Sequence, residues 1–171
     1  MHNGSDLIGL SYCSTAAFKC AERSLGVHAE VQRILVDSRR NNCRHGISGV
    51  LHFADGRFFQ YLEGPADRVD ALYARICRDA RHSDVRRLTR RPLPRRRFDG
   101  LAMKFVSLER PIERVLERHG LQRFDPDRFT PALIEDLVMS SIPERECAPE
   151  ARPETPPGRP GGSFWQRLLR R

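Results

Sequence analysis

"GISGVLHFADGRFFQYLEGP", residues 46–65, reads as two strands folded back on each other through Asp55-Gly56. An Asp-Gly pair suits the tight two-residue hairpin turn, whose central positions both need positive φ. Along the second strand the side chains alternate, so Phe58, Gln60 and Leu62 point one way and Phe59, Tyr61 and Glu63 the other. The first face is apolar except for Gln60. Left unpaired in a dry interior, that primary amide would cost about 1–3 kcal/mol, so a partner is expected. The second face carries Phe59 and Tyr61, which need a cover of their own.

Outward from the hairpin, "DLIGLSYCS" (6–14) alternates as a first strand and "LGVHAEVQRILVDSRRNN" (25–42) repeats apolar residues at helical spacing. "DRVDALYARICRDARH" (67–82) predicts a second helix with Val69, Leu72, Tyr73 and Ile76 on one stripe. "DVRRLTRRPL" (84–93) predicts a strand whose charges and Pro92 mark it as an edge. "GLAMKFVSL" (100–108) predicts a fifth strand, with Leu101, Met103 and Phe105 sharing a face. The order βαββαββ points to an α+β, ferredoxin-like mixed sheet with two helices on one face. Two further helices, near 110–120 and 130–141, each with an early proline, are expected on the other side of the sheet or against a second subunit, an arrangement that would make a homodimer. The chain then divides into 6–107, 108–141 as a helical extension for output or dimerisation, and 142–171. That last stretch, rich in proline and arginine, is expected to be disordered, with a short amphipathic end at "FWQRLLRR".

Of the 171 residues, Lys and Arg number 30 and Asp and Glu 22, a formal net charge of +8. A basic surface permits contact with nucleic acid or anionic membranes without demonstrating either. The five cysteines are odd in number and scattered, with no metal-ligand spacing, so neither a disulfide framework nor a zinc site is expected. No basic segment leads into an apolar run at the N-terminus, and no stretch reaches the ~20 apolar residues of a membrane span. The expectation is a cytoplasmic protein without a transmembrane segment.

Several polar groups converge on the Gln60 face. Tyr12 shares a face with Ile8 and Leu10, and a phenol is a natural partner for a buried amide. The first helix ends with Ser38, Asn41 and Asn42, while Arg75, Arg78, Asp79 and His82 follow helical spacing on the second. Each group alone has an ordinary explanation: a self-satisfied Tyr–Gln pair, a C-capping Asn-Asn, a solvated charged face. Together, amides on one helix, cations on the other and a Tyr–Gln floor fit a flat heterocycle bearing a phosphate tail.

"SYCS", "SRRNN", "GISGVLHFADGRFFQYLEGP", "RDARH" and "RRFDGLAMKF" occur in order between residues 6 and 107, and together they resemble the BLUF family of blue-light sensors that use flavin. The resemblance implies non-covalent FAD, or FMN or riboflavin, between the two helices of a sensor that is not an enzyme. It implies Tyr12 and Gln60 as the photoactive pair, with Met103 beside the glutamine. It assigns Asn42, with Asn41 and Ser38, to the carbonyl edge of the ring, Ile34 to the ring face, and Arg75, Arg81 and His82 to the ribityl-phosphate end. Light would move an electron and a proton out of Tyr12 and back, leaving Gln60 rearranged and the absorption shifted red, and the last strand and 110–141 would signal to an unidentified protein partner. Leu101 stands where several members have tryptophan, so a signal built on tryptophan–methionine exchange is not expected. Two rival readings remain, the first sharing the strand and helix order. A nucleic-acid module would need exposed sheet aromatics in a pattern that "GRFFQYLEG" lacks, so no nucleic-acid partner is expected. A small flavin reductase or an acylphosphatase-like hydrolase would need a fingerprint that is not readable here.

Overall fold

The structure, a computed structural model, describes residues 6–18, 29–106 and 110–142. Five strands form one sheet: β1 (Leu7–Ala16), β2 (Ser48–Ala54), β3 (Arg57–Pro65), β4 (His82–Pro92) and β5 (Lys104–Val106). Their order is β4-β1-β3-β2-β5, with β2–β5 parallel and the other pairs antiparallel, which is the ferredoxin-like arrangement with one strand added. The hairpin turns where the sequence places it, with φ of 50° at Asp55 and 72° at Gly56. β4 lies at one edge of the sheet.

Helices α1 (Ala29–His45) and α2 (Ala66–Ile76) cover one face. There Val31, Ile34 and Leu35 of α1 and Val69 of α2 pack on Ile8, Leu10, Phe58 and Leu62. Helices α3 (Arg110–Arg118) and α4 (Pro131–Ser141) cover the other, closing Ile112, Leu116, Leu133 and Leu137 over Val50, Phe59 and Tyr61. Pro131 opens α4 at a position whose N–H would have no partner, and Thr130 Oγ1 caps the turn by accepting from Leu133 N at 3.2 Å. The hairpin's alternation is thus matched by two cores, and Phe59 and Tyr61 are buried rather than displayed to nucleic acid.

Three boundaries differ from expectation. The second helix ends at Ile76 rather than reaching residue 82. The Asp79 carboxylate accepts the Arg81 backbone N–H at 2.9 Å, and the amides of Arg78 and Asp79 fold back on Arg75 O and Ile76 O at 3.0 Å. Such side-chain capture offers the backbone an alternative to another helical turn. Arg78, Asp79 and His82 therefore share no helical stripe. The fifth strand begins only at Lys104, because Leu101 N turns back to Phe98 O (3.1 Å) around Gly100 at φ 79°. Leu101 consequently packs in the α3–α4 core, while Met103 and Phe105 join the α1–α2 core. The first helix runs on to His45; its expected start at 25 lies outside the described residues, as do residues 107–108 of the last strand and the tail from 143.

The α3–α4 core contains one titratable group that sequence reading passed over. His52, on β2, is 2% exposed. Its Nε2 lies 3.1 Å from Ser141 Oγ, and since that hydroxyl donates to Leu137 O at 2.7 Å, Nε2 is the donor. Burial, with a smaller contribution from Lys104, pushes its pKa down to about 3. A base with a depressed folded pKa stabilises the fold above its unfolded value of 6.5 and loses that contribution as pH falls toward 3. Between pH 6.5 and 5 this amounts to about 2 kcal/mol of lost stability. His82, also lowered chiefly by burial, acts in the same direction. Urea midpoints at the two pH values should differ accordingly and the difference should shrink in His52→Gln; an equal slope in that variant would assign the loss elsewhere.

Candidate functional site

A cavity of about 310 Å³ opens between α1, α2 and the turn leading into β4. Its floor is Tyr12 on β1 and Gln60 on β3, paired directly across the sheet. From α1 come Ile34, Asp37, Ser38, Asn41 and Asn42. Leu72, Arg75 and Ile76 enter from α2, and Arg78, Asp79, Arg81 and His82 from the turn and the start of β4. Every lining residue expected from sequence therefore borders one space.

The amide of Gln60 is satisfied on both sides. Its Oε1 accepts a hydrogen bond from the Tyr12 hydroxyl, and its Nε2 points at Met103 Sδ, 3.4 Å away. Tyr12 is 1% exposed, and its pKa is raised by burial first and by the Asp79 charge second, so the phenol keeps its proton. Met103 lies beside Gln60 rather than in the cavity wall, held by two bonds from α1: Asn42 Nδ2 to Ala102 O (3.0 Å) and Arg39 Nε to Met103 O (3.1 Å). The remaining amide atom of Asn42, its Oδ1, is buried without a partner. His82 Nδ1 lies 2.8 Å from Ser14 Oγ, with the ring 4.7 Å from that of Phe58.

The cations divide into two groups. Arg81 is held by Asp79, with Nη2 2.7 Å from Oδ2, and by Asp37 at 3.1 Å. The hydrogen bond to Asp79 is the larger reason that its pKa is raised and that of Asp79 lowered. Arg75 and Arg78 are exposed at the same rim and have no ion pair among the described residues. Asp37 was not legible in the sequence, being one polar residue among several on α1; only a carboxylate one helical turn before Asn41 hints at it. Among the described residues no cluster of three or more His, Cys, Asp or Glu could hold a metal, and no helix is long and apolar enough to cross a membrane. Cys13, Cys43 and Cys77 are free thiols; Cys20 and Cys147 lie outside the described residues.

Comparison with known proteins bears on this geometry. The Escherichia coli blue light- and temperature-regulated antirepressor BluF is 33% identical over 79 residues, which cover 46% of this chain and 20% of that protein. Photoactivated adenylate cyclase subunit alpha of Euglena gracilis is 27% identical over 159 residues, covering 79% of this chain and 15% of the relative. The chain thus spans a fifth or less of these curated relatives. Among solved structures, BlsA in its photo-activated state superposes with a TM-score of 0.71 at 27% identity, covering 80% of this chain and 94% of that one. The family model described as sensors of blue-light using FAD, BLUF, matches residues 7–104. With more than half of its length inside that match, and with the family's ferredoxin-like sheet and buried Tyr–Gln pair, this chain belongs to the BLUF family of blue-light sensors.

Proposed function

We propose that this chain is a blue-light photoreceptor that holds FAD, or its FMN or riboflavin portion, in the α1–α2 cavity and signals to a protein partner without turning over a substrate. The observation that carries this is the buried line Tyr12–Gln60–Met103 at the floor of a cavity whose wall holds an unpartnered amide oxygen, Asn42 Oδ1. A buried acceptor without a donor costs free energy, and the ring N–H of a flavin supplies a donor of the right kind. About 310 Å³ is the lower end of the range for pockets that enclose drug-sized ligands, so it suits the ring and ribityl chain better than a whole dinucleotide.

When bound, FAD supplies an excited state that is a strong oxidant under blue light. Asn42, Asn41 and Ser38 would hold the polar edge of the ring, with Ile34 against its face. The tail would leave between Arg75, Arg78 and His82. Tyr12 would be the donor of an electron and of its hydroxyl proton and would take both back, ending the cycle unchanged. Gln60 Oε1, which accepts the Tyr12 hydroxyl hydrogen bond, would take up that proton and return it. The amide can then return in a second hydrogen-bonding arrangement, and in a dry site two such arrangements are separated by few kcal/mol. On this reading 6–107 is the sensor, and 108–141 passes the change to the partner.

The test is direct. Protein purified with its cofactor should be yellow, and a blue pulse should shift its visible absorption slightly and reversibly to the red. A colourless protein that takes up no flavin, or a coloured one without the shift, would defeat the proposal.

A further inference from the structure

We propose that Arg39 is a positioning residue of the photocycle, acting on Gln60 through Met103; the inference rests on the photoreceptor reading above. Met103 is the acceptor that orients the Gln60 amide, since Nε2 faces its sulfur while Oε1 faces Tyr12. A thioether is a weak acceptor on a chain with three rotatable bonds. Such a group orients an amide only if its own backbone is held still. Regular strand pairing does not hold it: β5 starts one residue later and is three residues long. Helix α1 holds it instead, through Asn42 on the carbonyl of Ala102 and Arg39 on the carbonyl of Met103 itself.

Of these two clamps, only Arg39 is free of the cavity. Asn42 lines it, and its removal would disturb cofactor and backbone together. Arg39 is exposed, lies outside the lining, and has no carboxylate partner among the described residues. Its Nε–H is therefore committed to a backbone carbonyl, and a hydrogen bond from a charged donor is about twice as strong as a neutral one. With Leu101 turned into the opposite core, that residue does not compete with Met103 for the place beside Gln60. Loosening Met103 weakens the contact that draws Gln60 back to its dark orientation, without touching Tyr12 or the cavity wall.

The experiment is a double-mutant cycle on full-length protein saturated with FAD, read by the rate of thermal return after a blue pulse. Arg39→Ala should retain FAD and the red shift but return about threefold or more slowly, and Arg39→Lys should recover part of the loss. Met103→Leu, which conserves volume, should slow the return by itself, and adding Arg39→Ala to it should change nothing further. Wild-type kinetics in Arg39→Ala, a faster return, or an equal additional slowing in the Met103→Leu background would overturn the assignment, the last because a merely structural role is additive. A wild-type protein that binds FAD and shows no shift would instead defeat the photoreceptor reading.

Discussion

Tyr12→Phe should keep flavin at close to the parent occupancy and show no red shift after blue light. The substitution removes one oxygen from a side chain that is 1% exposed and leaves the packing in place, including the ring of Tyr73 5.7 Å away. What disappears is the proton donated to Gln60 Oε1 and the oxidisable phenol behind it. Stability should fall by about 1–3 kcal/mol, the cost of a buried acceptor left unpaired, which is too little to unfold a domain of this size. Burial and the Asp79 charge hold the Tyr12 pKa far above neutrality, so the donor is protonated at every accessible pH and the size of the wild-type shift should not follow tyrosine ionisation. Spectra before and after illumination, with the flavin-to-protein ratio, decide the matter. A normal shift in the phenylalanine variant would remove Tyr12 from the donor role.

How much of this was legible in the sequence follows from what each signal measures. Alternation in residues 56–65 reports which side of a sheet each residue faces, and that information is local; both cores follow from it, while the Tyr12–Gln60 pairing also needs the alternation of residues 6–14 and the strand register. The end of α2 was not legible because its apolar stripe stops at Ile76 and the charges beyond it are compatible with helix or turn. Only the carboxylate of Asp79, bound to the Arg81 amide, decides between them. Leu101 was misplaced for a related reason: period-two alternation assumes a continuous strand, and the Phe98–Leu101 turn breaks it. The resemblance supplied the site's membership but not its electrostatics. It assigns Arg81 to the phosphate end, where the structure shows that cation already held by Asp37 and Asp79, and leaves Arg75 and Arg78 as rim charges with no ion pair among the described residues.

Glu63→Ala should strongly destabilise the fold. Glu63 is on β3 with no exposed surface. Its Oε1 accepts from Arg97 N (2.8 Å), Phe98 N (2.7 Å) and Ser48 Oγ (3.1 Å), and its Oε2 from Arg97 N (3.0 Å) and the Tyr61 hydroxyl (3.4 Å). One side chain thereby fastens the β4–β5 connection to the middle of the sheet. From that connection Phe98 inserts into the α3–α4 core, and Arg97 reaches Glu135 of α4 at 2.7 Å. Alanine would leave two backbone amides without their acceptor and a cavity where the carboxylate stood, and each buried donor left unsatisfied costs about 1–3 kcal/mol. Glu63→Gln should cost less, about 1–2 kcal/mol, because Oε1 can still accept while the new NH₂ faces the Arg97 amide. Urea unfolding measures both, and the ordering matters as much as the size. If the alanine variant unfolded within 1 kcal/mol of the parent, or the glutamine variant were the weaker of the two, the connection to Met103 and β5 would have to be anchored by Arg96 on Ser48 and Gly46 instead.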